Sequence, residues 1–280
     1  AGGGGGVTFK AFGTGSIMVG DDATGTIDAA DNNTGLGVDV FAALTSGDGN
    51  TAVGGIALDA ITTSSDNTAV GHQSLTNATS GVGNTALGKA TMTAVVTGSN
   101  NVAVGRYALS ANTSASNNVA VGVNALVANT TGASNVAVGE SAGYALTTGS
   151  SNIAIGKNAL NTQTTVTGEI AIGFEALKVA SNAGSNVAVG YQAGKALTSA
   201  IGVVVMGYQA GDAITTGDTN ICMGGFSMDG GAGKTGYGGT HIGHAGHRTS
   251  TSGNFNSSMG IDTFKNPTTG NSNVCLGSGS

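Results

Sequence analysis

Short apolar runs closed by a glycine recur along this chain at a fixed interval. The closing residues are Gly20, Gly37, Gly54, Gly71, Gly88, Gly105, Gly122, Gly139, Gly156, Gly173, Gly190, Gly207 and Gly224, each 17 residues after the last. The series then steps by 19 to Gly243 and resumes at 17 through Gly260 to Gly277. Sixteen registers result, with one two-residue insertion. A period of this size signals a repeat architecture, in which each unit buries its apolar face against the next.

The consensus reads Asn-(Thr/Val)-Ala-(Val/Ile)-Gly-x-x-Ala-Leu-x-x-x-Thr-Thr-Gly-x-x, numbered here as columns 1 to 17 from the Asn. A 17-residue unit is too short for a helical pair and lacks helical apolar spacing. Its β-branched residues are bounded by Gly and Asn, which is strand and turn chemistry. One solenoid coil per repeat is the economical solution. Each coil is predicted to carry two short strands, one over columns 2–4 and one near columns 8–13. Coils pairing in parallel at about 4.8 Å would make sixteen of them a rod of roughly 75 Å.

Roles for the columns follow. Column 4 (Val53, Val70, Leu87, Val104, Ile155, Ile172, Met206) is expected to point into the coil as an aliphatic ladder. Column 8 (Ala57, Ala108, Ala125, Ala176) is small because the opposite wall is close. Gly in column 5 implies a positive φ or a close backbone approach at a corner. Asn in column 1 can stack into an amide ladder, and Thr in columns 13 and 14 can form a hydroxyl ladder or cap a turn. Charges sort inside from outside independently, since they are costly to bury. Asp21, Lys89, Arg106, Glu140 and Lys157 fall in column 6, and Asp22, Asp39, Glu175 and Asp262 in column 7. Asp59, Lys178, Lys195, Asp212, Arg248 and Lys265 fall in column 10, so these three columns are expected on the outer corner.

Composition agrees with a thin, closely stacked structure. Of 280 residues 51 are Gly and only 4% are aromatic, so few large side chains exist to fill a thick core. Hydrophobic residues at 39%, recurring at fixed positions, argue against disorder. A net charge of −6 and a pI near 4.9 leave no basic stripe for nucleic acid. No stretch approaches the roughly 20 apolar residues of a membrane-spanning helix, so membrane insertion is not expected. No signal peptide is visible, and a start at Ala1 suits a processed product or a piece of something longer. Residues 1–15, beginning Ala-Gly-Gly-Gly-Gly-Gly-Val, precede the clear repeats and read as a flexible leader or attachment segment. The repeats occupy 16–280, with the insertion at 225–242.

The phrases Asn67-Thr-Ala-Val-Gly71, Asn101-Val-Ala-Val-Gly105, Asn186-Val-Ala-Val-Gly-Tyr-Gln-Ala-Gly194 and Met206-Gly-Tyr-Gln-Ala-Gly211 resemble two families. One is the head repeats of trimeric autotransporter adhesins; the other is repeats of bacteriophage tail fibres. The resemblance covers about residues 16–280 and implies a homotrimeric β-roll presenting a host-binding surface, extracellular and on a virion or a bacterial cell. The strict period of 17 departs from the shorter, more variable adhesin-head repeat, which puts the phage fibre ahead. Trimerisation also has a reason in the residues themselves. Columns 2 and 3 face opposite ways, and a strand apolar on both sides suits one face inside the coil and one against a neighbouring chain.

Candidate sites are few. Column 6 reads Phe174, Tyr191, Tyr208 in three consecutive coils, with Gln192 and Gln209 beside two of them. Such a stripe suits a glycan face or a protein receptor; equally, stacked rings stabilise a β array with no ligand at all. The Gly-rich insertion contains Gly233-Lys234-Thr235, but Met228 stands where a phosphate loop needs its first Gly, which excludes nucleotide binding. His241, His244 and His247 are spaced by three, which one strand cannot bring to one face. Three copies of His241 could meet on a trimer axis and hold a metal, or the three could be polar residues of a loosened coil. Cys222 and Cys275 share column 3 three coils apart, roughly 14 Å, too far to pair within a chain, and read as buried filler.

A column of Thr could bind ice, although the Gly that usually follows marks a turn instead. Asp recurs too sparsely in any column for calcium-binding repeats, which are not expected. No catalytic constellation stands out, and no cofactor is expected. The sequence therefore reads as an all-β parallel β-solenoid of about sixteen coils. Its expected role is that of a structural and adhesive fibre segment, not an enzyme, with a phage tail fibre first, a bacterial adhesin head second, and an ice-binding or scaffolding solenoid third.

Overall fold

In a computed structural model of the chain, residues 8–10, 14–20, 30–179, 184–228, 235–246, 253–264 and 270–279 are described. Two units are distinguished, residues 1–134 and 135–280. Each is a parallel β-solenoid with coils of about 17 residues. In the first, β1 (Thr8–Lys10) pairs antiparallel with β2 (Ile17–Gly20). There follow β3 (Thr34–Leu36), β4 (Thr51–Val53), β5 (Thr68–Val70), β6 (Thr85–Leu87), β7 (Val102–Val104) and β8 (Val119–Val121). From β2 onward each strand pairs in parallel with the next, column for column, as Thr68, Ala69 and Val70 do with Thr85, Ala86 and Leu87. The segment expected as a flexible leader thus contributes a paired strand at Thr8–Lys10.

The second unit holds β9 (Val136–Val138), β10 (Ile153–Ile155), β11 (Ile170–Ile172), β12 (Val187–Val189) and β13 (Val204–Met206). It continues with β14 (Ile221–Met223), β15 (Thr240–Ile242), β16 (Ser257–Ile261) and β17 (Val274–Ser278). All pair in parallel and in register. The two-residue insertion does not shift the ladder: Cys222 pairs with His241 across it. Residues 229–234, which hold Gly233 and Lys234, lie outside the described residues, as do His247, Arg248 and Lys265.

The expected strand near columns 8–13 does not form. Columns 6 to 11 are turns in most coils, and columns 7 and 9 both take positive φ, for example Gln73 (57°) and Leu75 (53°), or Asn124 (57°) and Leu126 (49°). Residues of the opposite hand between them wind the chain tightly, and its amides still bond from coil to coil. Gln73 N–H donates to Gly55 O (3.0 Å), and Leu58 N–H donates to Ser74 O (3.2 Å). A β-rich composition therefore supplies one strand of three residues per coil in most coils, and the rest is a stack of turns.

The column 5 glycines meet both conditions read from the sequence. Gly54 has φ 122°, and a Cβ there would lie 2.7 Å from the carbonyl carbon of Gly71 in the next coil.

The side of the strand that faces the core is the reverse of the expectation for column 4. Column 3 points inward: Ala52, Ala69, Ala86, Ala103, Ala120, Ala171 and Ala188 are fully buried. Columns 2 and 4 point outward, with Leu36 50%, Leu87 46% and Ile155 37% exposed. The physical reason is volume. Column 3 looks across a narrow interior already filled by column 9 (Leu58, Leu75, Leu109, Leu126, Leu160, Leu177) and column 8 alanines, so only Ala fits. Each buried column 9 leucine contributes about 1.5–3 kcal/mol.

Where column 9 is Gly, other columns fill the space. Gly143, Gly194 and Gly211 are matched in column 12 by Leu146, Leu197 and Ile214, all buried. A Cβ on Gly194 would lie 2.5 Å from Leu197 Cδ1, and one on Gly211 2.5 Å from Cγ1 of Val205, the one Val among the column 3 alanines.

Candidate functional site

The aromatic stripe read from column 6 exists as a stack. The rings of Phe174 and Tyr191 lie 5.1 Å apart with planes 13° from parallel, and Tyr191 and Tyr208 lie 5.1 Å apart at 6°. In-register coils place the same column one strand spacing apart, so identical rotamers stack face to face. The stack is longer than its column. Phe226, in column 7 because Gly225 occupies column 6, packs edge-on to Tyr208 at 5.2 Å, and His244 lies 5.7 Å from Phe226. Column reading missed Phe226, since its ring enters from the adjacent position.

The geometry limits what this stripe can bind. Tyr191 has a ring on each face, and Tyr208 is closed by Tyr191 on one side and the Phe226 edge on the other. Flat stacking of a sugar on these two faces is therefore blocked. What they offer outward are ring edges and phenol hydroxyls, with Tyr191 42% and Tyr208 51% exposed. Such a ridge can donate and accept hydrogen bonds at a regular interval.

Gln192 and Gln209 do not stand free beside the rings. Gln209 Nε2 donates to Gln192 Oε1 (2.9 Å), and Gln192 Nε2 donates to Glu175 Oε2 (2.8 Å), a second ladder in column 7. Glu175 anchors it, paired with Lys178 and, at 2.9 Å, with Lys195 of the next coil. Lys178 first, then Lys195, hold the Glu175 carboxyl down at about 2, against the opposing effect of burial. Column 7 charges were expected outside, but the Glu175 side chain is only 10% exposed, since its positive φ tucks it against the neighbouring coil.

His241 does not reach a trimer axis. It sits in column 3 with its side chain inside its own coil, 1% exposed, Nδ1 2.9 Å from Ser258 Oγ. Column 3 faces into the coil here, so His241 fits the reading as a polar residue of the coil and not the axial one. Cys222 lies buried in the adjacent rung of the same column, as filler requires, whereas Cys275 is partly exposed. Among the described residues no group of three or more His, Cys, Asp or Glu is placed to hold a metal. No described helix is long and apolar enough to cross a membrane.

The column 13 threonines are occupied. Thr45 Oγ1 donates to Thr62 O (3.0 Å), Thr113 Oγ1 to Thr130 O (3.1 Å) and Thr198 Oγ1 to Thr215 O (3.0 Å), each one coil on. They form the ladder foreseen, and their hydroxyl protons are not presented to solvent as a lattice.

The column 1 asparagines make the second predicted ladder, and it is buried. Asn50 N–H and Nδ2 both donate to Asn33 Oδ1 (2.8 and 3.0 Å), and Nδ2 also donates to Ser64 O (2.9 Å). The same pattern links Asn67, Asn84, Asn101 and Asn118. In the second unit Glu169 takes one rung, and burial raises its carboxyl to about 7.

No protein-family model matches this chain, and no curated protein or solved structure matches it either.

Proposed function

We propose that the chain is a structural and adhesive fibre segment that assembles as a homotrimer on a virion surface, outside the host cell, as a phage tail fibre does. The observation that carries this reading is the outward face of the strands. Columns 2 and 4 present Val102, Val104, Val119 and Val121 in the first unit and Val136, Val138, Ile153, Ile155, Ile170 and Ile172 in the second, without a charge. A partly exposed β-branched stripe of this regularity is suited to burial against another chain. Its ridges repeat at the coil spacing, and a second copy of the same solenoid has ridges of matching pitch.

The polar columns favour a structural role. Asn, Thr and Gln side chains bond mainly coil to coil, leaving the tyrosine ridge as the best candidate for host attachment, to a surface glycan or a protein receptor.

Mass in solution tests the assembly. Three chains are expected, and Ile153→Lys with Ile170→Lys should give one; a single chain before mutation refutes the trimer. Tyr191→Ala with Tyr208→Ala should abolish adhesion to host cells if the ridge is the receptor site. Unchanged adhesion by a trimeric variant discards it.

A further inference from the structure

Glu169 stands where the amide ladder of the second unit needs a donor. In the rungs around it, the side-chain nitrogen reaches back to the previous rung: Asn152 Nδ2 donates to Asn135 Oδ1 (3.0 Å) and, along its own coil, to Val166 O (2.8 Å). Glu169 keeps the acceptor half of this role. Its Oε2 and Oε1 accept from the backbone N–H (3.2 Å) and Nδ2 (3.1 Å) of Asn186, while its own N–H donates to Asn152 Oδ1 (2.9 Å). A carboxylate has no hydrogen to return to Asn152, whereas a carboxylic acid has one. The side chain is fully buried, so water does not solvate the ionised carboxylate in place of that donor.

We propose that Glu169 is a protonation-dependent rung: protonated, it closes the ladder from Asn135 to Asn186; ionised, it loosens the coil that follows it. The groups facing it are Asn152 from the coil before and Asn186 from the coil after, and neither titrates. No charged group contributes to its raised titration midpoint of about 7; burial is the cause, and the Asn186 bonds oppose it. The sign follows. The folded state holds the proton more tightly than the unfolded chain, whose midpoint is 4.5. The rung's contribution is complete below pH 4.5 and is lost as pH rises through about 7. Glu175, held at about 2, is already ionised across that window.

Hydrogen exchange of the amides of residues 170–187 at pH 5 and pH 8, corrected for intrinsic rates, tests this. Amides of residues 51–121 in the same chain serve as the internal reference. Opening of the 170–187 amides is expected to rise on the order of 100-fold between the two pH values. Glu169→Gln, which has a donor at every pH, should remove the rise. Equal protection at both pH values, or the same rise in Glu169→Gln, overturns the proposal. If the variant does not fold, a carboxyl ¹³C titration of the wild-type chain decides: a Glu169 midpoint near neutrality supports the rung, and one in the usual carboxylate range overturns it.

Discussion

Gly54 and Gly55 are adjacent, and they are predicted to respond oppositely to alanine. At Gly54 φ is 122°, and a Cβ would lie 2.7 Å from the carbonyl carbon and 2.8 Å from the carbonyl oxygen of Gly71. That φ belongs to a region reserved for glycine, and a side chain there costs about 1–3 kcal/mol. The overlap is with backbone, so two coils must separate to relieve it, adding about 1–3 kcal/mol by analogy with overpacked cores. Gly54→Ala should therefore destabilise by about 2–6 kcal/mol.

At Gly55 the nearest atoms to a Cβ are His72 Cδ2 at 3.6 Å and Val38 O at 3.8 Å, which is ordinary contact. Gly55→Ala should be neutral or stabilise by up to about 1 kcal/mol, because the unfolded chain loses freedom. Chemical denaturation of the two variants beside the wild type measures the difference. In a repeat array the damage passes mainly to nearest neighbours, so lost amide protection in Gly54→Ala should centre on residues 51–76. Equal effects of the two substitutions would refute the close approach of consecutive corners.

Asn129 is fully buried, and neither its Oδ1 nor its Nδ2 has a protein partner. Column 12 accepts Ile61 beside a column 9 leucine, Leu58, as Asn129 stands beside Leu126, so Asn129→Leu is expected to raise stability by about 1–3 kcal/mol, read as a higher denaturation midpoint; a lower one would show that the amide is satisfied or the space too small. Glu175 is held well below its ordinary value of 4.5. Its contribution is present above pH 4.5 and is lost as pH falls toward about 2, so the stability gap between wild type and Glu175→Gln should shrink over that range. A gap that stays constant in acid unfolding would argue against the Lys178 and Lys195 pairing.

The period of 17 was enough to establish the solenoid, the register and the two ladders of Asn and Thr, because stacking forces each column to repeat its environment. Which side of the strand faces inward was not legible. Ala in column 3 and Val in column 4 are both apolar, and hydrophobicity favours burying the larger one. The interior decides otherwise, since Leu75 and its column mates already fill it. The absence of a second strand is hidden in the sequence for a related reason. Positive φ at Leu75, Leu109 and Leu126 is a conformation that leucine rarely takes alone, and only contact with adjacent coils holds it.

At the candidate site, Phe174, Tyr191 and Tyr208 were legible as a stack because they share a column. Phe226 was not, since it crosses columns. The closure of ring faces within the stack was likewise hidden until the planes were known.

Distances between spin labels on the outward column 2 positions test the stacked-coil account most directly. With one label at Thr34 and the second at Thr85, Val102 or Val119, the pairs lie three, four and five coils apart in one unit. The account predicts separations that grow by about 4.8 Å per coil, near 14, 19 and 24 Å. Distances that do not rise in equal steps with each added 17 residues would contradict it.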